Sequence, residues 1–150
     1  MGRVGSIKPM LTKLSKFEQD EGCVMHGIKV SDSNFNGFGE AYFSSVNYKK
    51  SKGWKLHERM TLNLIVPYGK IRFIIHDALD NTKIITPLID ITLGENNYSR
   101  LTIPPGYWVA FKGEGLKENI LLNVANIEHD PNEAINKPLN FFKVRGYEQS

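Results

Sequence analysis

A chain of 150 residues, 41% hydrophobic and 23% charged, has the length and composition of one globular domain that builds its core without staples. A net charge of +3, from 19 basic and 16 acidic residues in no long block, excludes the strong basic footprint of a duplex-binding protein and leaves no nucleic-acid partner expected. The single cysteine, Cys23, excludes an intrachain disulfide and a multi-cysteine zinc site. No apolar run approaches the roughly 18 residues of a membrane span, and residues 1–16 lack a signal-peptide core, so a cytoplasmic protein is expected.

In chain order, a turn-like stretch over 31–37 precedes a strand over 39–47 rich in aromatic and small residues. Residues 52–57 read as extended. Met60, Leu62, Leu64 and Val66 then alternate with Thr61, Asn63 and Ile65, the period of two of a strand with one buried face. Pro67-Tyr68-Gly69 makes a tight reversal, and Ile71, Phe73 and Ile75 alternate with Arg72, Ile74 and His76. Together these predict a hairpin. Short strands follow over 88–93, 100–103, 107–112 and 119–126, at the spacing of an antiparallel sandwich or barrel. Asp130-Pro131-Asn132-Glu133, with a cap, a first-position proline and an acid, predicts one short C-terminal helix. No repeat or linker divides the chain, so residues 1–150 are expected to form a single all-β domain with its core over about 7–146.

The chemistry-bearing residues concentrate in SKGWKLHERMTLN, residues 51–63. In an extended strand Lys55 and His57 share one face, and Trp54 and Leu56 the other. Thr61 and Asn63 join Lys55 and His57 if the next strand presents its polar face on the same side. That surface is either a ligand pocket inside an apolar barrel or simply the solvent face of a sheet. His26, His76 and His129 are scattered singly and are expected to be structural or exposed. There is no P-loop, G-x-G-x-x-G or G-x-S-x-G element, which argues against kinase, dehydrogenase and hydrolase chemistry.

The ordered set Gln19-Asp20-Glu21-Gly22, Gly39-Glu40-Ala41-Tyr42-Phe43-Ser44, Lys52-Gly53-Trp54, His57-Glu58-Arg59-Met60-Thr61-Leu62-Asn63, Val66-Pro67-Tyr68-Gly69-Lys70 and Leu101-Thr102-Ile103-Pro104-Pro105-Gly106-Tyr107-Trp108 resembles the dTDP-4-dehydrorhamnose 3,5-epimerase branch of the cupins. The resemblance implies a jelly-roll barrel, a homodimer, no cofactor and action on dTDP-4-keto-6-deoxy sugars for surface polysaccharides. It implies proton removal beside a carbonyl, with His57 as base, Lys55 as electrostatic stabiliser and Tyr107 as a candidate proton donor. Lys52 or Arg59 would contact the diphosphate, and Thr61 and Asn63 the sugar hydroxyls.

The family's R-G-L-H segment corresponds to Lys52-Gly53-Trp54-Lys55, which puts a lysine where the family has its histidine. Its enolate-stabilising lysine falls near Leu62 or Asn63, and the carboxylate orienting the histidine has only the neutral Asn140 as an occupant. Typical cupins hold a metal through H-x-H, an acid and a later histidine; Lys55 and Val109 stand at two of those positions, so no metal is expected. These departures leave two alternatives to the epimerase reading. One is a 3,4-ketoisomerase, a group usually marked by H-x-H-K. The other is a non-catalytic cupin that binds a sugar or nucleotide sugar.

Overall fold

The structure, a computed structural model, describes residues 8–79 and 87–144. Among them twelve strands form: β1 (Met10–Lys13), β2 (Lys16–Gln19), β3 (Gly22–Met25), β4 (Glu40–Ser45), β5 (Ser51–His57), β6 (Leu62–Tyr68), β7 (Lys70–Asp77), β8 (Ile89–Gly94), β9 (Ser99–Ile103), β10 (Tyr107–Gly113), β11 (Ile120–Ala125) and β12 (Ala134–Asn136). Two five-stranded antiparallel sheets, ordered β1-β9-β6-β11-β4 and β12-β5-β10-β7-β8, make a jelly roll; β2 and β3 form a separate two-stranded ribbon.

The inward residues follow the period of two. Leu62, Leu64 and Val66 from β6, Leu101 and Ile103 from β9, and Leu121 from β11 meet Ile71, Phe73 and Ile75 from β7 and Val109 from β10 in one core cluster. The second sheet is also covered from behind. Trp54, Ile74, Ala110 and Phe142 form an outer cluster joined by Trp108, Phe141 and Val144, and Trp54 Nε1 donates to the Leu139 carbonyl at 3.0 Å. His76 lies in this cluster, stacked on Phe142 with centroids 4.1 Å apart, while His129 is exposed.

Two sequence expectations need correction. The β6–β7 pair is not a hairpin: β6 pairs with β9 and β11, and β7 with β8 and β10. Pro67-Tyr68-Gly69 carries the chain from one sheet to the other. Alternation reports that each strand has one buried face, and that holds whether two strands lie side by side or face to face. Gly69 has φ +85°, and a Cβ there would collide with Asn119 Oδ1 and the Glu118 carbonyl, so this corner needs glycine. The expected C-terminal helix is a single 3-10 turn, Pro131–Glu133. Asp130 caps it by accepting from Asn132 N at 2.9 Å, but Ala134 is already extended and begins β12.

Candidate functional site

β4 and β12 are edge strands of the two sheets, and residues of both line one cavity. Its volume is about 300 Å³, and it is lined by Tyr42 and Ser44 from β4, Lys52, Gly53, Lys55 and His57 from β5, and Leu62 and Leu64 from β6. Val109, Phe111, Leu121, Asn123 and Asn136 complete it. Its walls are mainly apolar with a few convergent polar groups, the make-up of a small-molecule site.

Strand alternation alone cannot put Lys52 and Lys55 on the same wall, because they are three residues apart. A β-bulge does it. Along β10, Val109 pairs with Lys55 but Ala110 pairs with Gly53 and Phe111 with Lys52, so Trp54 is the inserted residue. Trp54 turns out into the rear aromatic cluster and is fully buried there, while both lysines turn inward. Gly53 has φ +133° and sits where a Cβ would lie 2.7 Å from Ala110 Cβ; the Gly53–Trp54 peptide is cis. Lys52 Nζ donates to the Ser45 carbonyl at 2.7 Å, tying β5 to β4 at the cavity edge.

His57 has a carboxylate partner that sequence reasoning missed. Its Nδ1 donates to Glu133 Oε1, and Glu133 is only 3% exposed. The other carboxylate oxygen, Oε2, accepts from the backbone N–H groups of Arg59 at 3.0 Å and Met60 at 3.1 Å. Burial pushes the Glu133 carboxyl up; the hydrogen bond and charge of His57 and the two amides outweigh it and hold the group below its ordinary value. Asn140, offered by sequence for this place, instead belongs to the 3-10 turn Leu139–Phe141 behind the second sheet. The sequence did carry a signal for Glu133. It is the acid after Asp130-Pro131 that read as part of a helix cap.

The remaining candidates divide. Thr61 and Asn63 face away from the cavity, on the side of β6 opposite Leu62 and Leu64. Thr61 N donates to Asn126 Oδ1 at 2.7 Å, and Asn63 Oδ1 accepts from Thr102 Oγ1 at 2.6 Å. The alternation that paired them with Lys55 and His57 holds within one strand, but β5 and β6 belong to opposite sheets. Arg59 lies outside the cavity lining, paired with Asp130 at 2.8 Å. Tyr107 is 1% exposed and packs in the core, in a narrow crevice with His57, Met60 and Val109 behind the cavity. The phenol that does line the cavity is Tyr42, on the wall opposite His57.

Lys55 and Val109, at two of the positions where typical cupins place metal ligands, are direct cross-strand partners beside His57. An ammonium group and an isopropyl group are poor donors, so these residues do not fit a three-ligand site. Among the described residues no group of three His, Cys, Asp or Glu could hold a metal ion.

An all-β jelly roll with a cationic cavity and a histidine–carboxylate pair on one wall defines a cupin of the small-molecule-binding type. Comparison with solved structures places it further. A dTDP sugar isomerase from Desulfovibrio desulfuricans G20 superposes with a TM-score of 0.83 and 28% identity, over 95% of this chain and 92% of that one. The sugar 3,4-ketoisomerase of Thermoanaerobacterium thermosaccharolyticum, in complex with TDP, gives 0.70 and 19% over 89% and 91%. The dTDP-4-dehydrorhamnose 3,5-epimerase of Sulfolobus tokodaii gives 0.76 and 18% over 95% and 83%. No family model matches, and no curated protein does. The chain has the fold of these nucleotide-sugar enzymes, and its similarity reaches 28% identity with the dTDP sugar isomerase. No helix among the described residues is long and apolar enough to cross a membrane.

Proposed function

We propose that the protein is a cytoplasmic nucleotide-sugar isomerase of the epimerase type, acting beside the carbonyl of a dTDP-4-keto-6-deoxyhexose that feeds surface polysaccharide synthesis. The observation that carries this reading is the buried His57–Glu133 pair at the wall of a cationic cavity. The carboxylate fixes the imidazole with its proton on Nδ1 and leaves Nε2 for chemistry. Nε2 removes the proton from the carbon next to the carbonyl, whose acidity makes this the accessible C–H bond. Negative charge moves to the carbonyl oxygen as the enolate forms, and the Lys55 ammonium offsets it in a cavity with apolar walls. Lys52 at the cavity edge contacts the diphosphate, and at about 300 Å³ the cavity suits a sugar ring with the nucleotide lying across its opening.

A 3,4-ketoisomerase is the second reading. It begins with the same deprotonation and differs in where the proton returns. The similarity that reaches 28% identity is to a dTDP sugar isomerase, a description that fits this reading.

The protein is proposed to act as a homodimer. Support comes from the ribbon β2–β3, which presents Phe17 and Val24, each 52% exposed. Sedimentation equilibrium returning a monomer mass at micromolar concentration would remove that part.

The test of activity is proton NMR of dTDP-4-keto-6-deoxyglucose with the protein in deuterated water. Loss of the C3 or C5 proton signal, abolished in His57→Asn, is the expected result. The product's keto position then separates epimerase from ketoisomerase. Chemical-shift evidence of binding with no exchange would overturn catalysis in favour of a binding protein.

A further inference from the structure

Three residues of the cavity wall stand in one row across the second sheet. Lys55 on β5 pairs directly with Asn136 on β12 and with Val109 on β10. Directly opposed residues of antiparallel strands project to the same face, and all three line the cavity. Neighbouring strands lie about 4.8 Å apart, so one sugar ring can touch the whole row. His57 is two residues from Lys55, farther along the same face of β5.

The chemistry changes along the row. Lys55 carries an ammonium group, which donates hydrogen bonds and accepts none. The Asn136 amide both donates and accepts, and it is exposed on the edge strand. Val109, 6% exposed, offers only an isopropyl group. A 4-keto-6-deoxyhexose carries a matching order of groups around its ring. The C4 carbonyl oxygen only accepts. The C3 hydroxyl on one side of it both donates and accepts, and the C5 methyl on the other side does neither.

We propose that the row Asn136–Lys55–Val109 reads the sugar and fixes which way round it lies. The amide takes the C3 hydroxyl, the ammonium the carbonyl oxygen, and the isopropyl group the C5 methyl. The inference rests on the isomerase reading of the cavity and adds the orientation of the ring and the class of sugar admitted. A ring turned end for end would set its methyl on the amide and leave its C3 hydroxyl against Val109 without a partner. A hydroxyl on C6 would meet the same isopropyl group, so 6-deoxy sugars are selected over their 6-hydroxy counterparts.

Binding of sugars that cannot react tests the row apart from catalysis. In titration calorimetry the protein is expected to bind dTDP-6-deoxyglucose about tenfold or more tighter than dTDP-glucose, which differs only by the C6 hydroxyl. It is expected to bind the same sugar about threefold or more tighter than its 3-deoxy analogue, a smaller margin because Asn136 is exposed. Two variants separate these preferences. Val109→Thr keeps the shape and adds one hydroxyl; it narrows the first preference about threefold or more and leaves the second within about twofold. Asn136→Val, a change the edge strand tolerates, abolishes the second preference and leaves the first within about twofold.

Preferences that neither variant moves, or that both variants move alike, overturn the proposal. A wild-type protein that holds these nucleotide sugars with neither preference does the same and leaves the isomerase reading standing. One that binds none of them removes that reading as well. If Val109→Thr unfolds at the assay temperature, Asn136→Val decides by itself, because its residue lies at the surface.

Discussion

Glu133 determines what His57 can do. A lone histidine on a strand is as often a satisfied core or surface group as a base. A histidine whose Nδ1 is held by a carboxylate, itself fixed by two backbone amides, has one tautomer and one orientation. Glu133→Gln removes the charge and also turns an amide NH₂ toward the N–H groups of Arg59 or Met60. Turnover is expected to fall by about 10²-fold or more, and thermal stability by about 1–3 kcal/mol for the buried donors left unpaired. Steady-state kinetics and calorimetry on the same variant separate the two effects, and full turnover would remove the carboxylate from the mechanism. A pH dependence follows as well. The folded-state carboxyl lies below its ordinary value of 4.5, so its stabilisation is present above about pH 4.5 and is lost as pH falls through the lower folded value. Acid unfolding in Glu133→Gln should therefore be shallower over that window, read by circular dichroism. His57 was visible in the sequence as the titratable partner of Lys55 on one strand face. Glu133 was visible only as a helix-cap acid, because the contact joins residues 76 apart in sequence and depends on β12 pairing with β5.

At the scale of elements, β5 does most to shape the site, through one inserted residue. The bulge at Trp54 puts Lys52 and Lys55 on the same wall and sends Trp54 to the rear cluster. Gly53→Ala would place a Cβ 2.7 Å from Ala110 Cβ and 2.9 Å from the Val109 carbonyl at φ +133°. The expected outcome is a loss of more than about 1 kcal/mol and a raised KM as Lys52 and Lys55 lose their common wall. Thermal melting with substrate titration reads both; an unchanged KM in a folded variant would mean that the bulge does not set the lysines. A glycine in the middle of an apolar–polar strand was the sequence signal for this kink. Most strands were legible as short runs of alternating or apolar residues between turn signals: β4 to β11 all fall on segments read as extended. The pairing of β6 with β7 was misread, since sheet membership is a tertiary fact. The short strands β1, β2, β3 and β12 went unread; β2 and β3 are exposed along nearly their whole length and leave no alternation to see.

At the scale of the whole molecule, each wall of the cavity is backed by a piece of chain that never touches it. Behind the second sheet, residues 137–144 close over Trp54, with backbone hydrogen bonds in both directions between Trp54 and Lys137. Behind the first sheet, the 26–36 segment is pinned by Arg100. Its guanidinium, 1% exposed, donates to the Gly27 carbonyl at 2.6 Å and to Asn34 Oδ1 at 2.7 Å, and lies 3.4 Å from Asp32. Burial pulls the Arg100 pKa down against the pull of Asp32 in the other direction, the mark of a charge that the fold has to compensate. Arg100→Leu leaves those acceptors without their donor and is expected to cost about 3–5 kcal/mol. Trp54→Ala opens a cavity behind β5 at a similar cost of about 3–5 kcal/mol, so each lowers Tm by on the order of 10 °C. The two losses should differ in their effect on chemistry. Arg100 acts on the wall that carries Tyr42 and Asn123, and Trp54 on the strand that carries His57. Measured well below both transitions, Trp54→Ala should slow exchange of the substrate proton with deuterated water. Arg100→Leu, acting on the sheet that does not carry His57, should leave that exchange near wild type. Equal effects of the two variants would mean that the two sheets transmit their disturbances to one another.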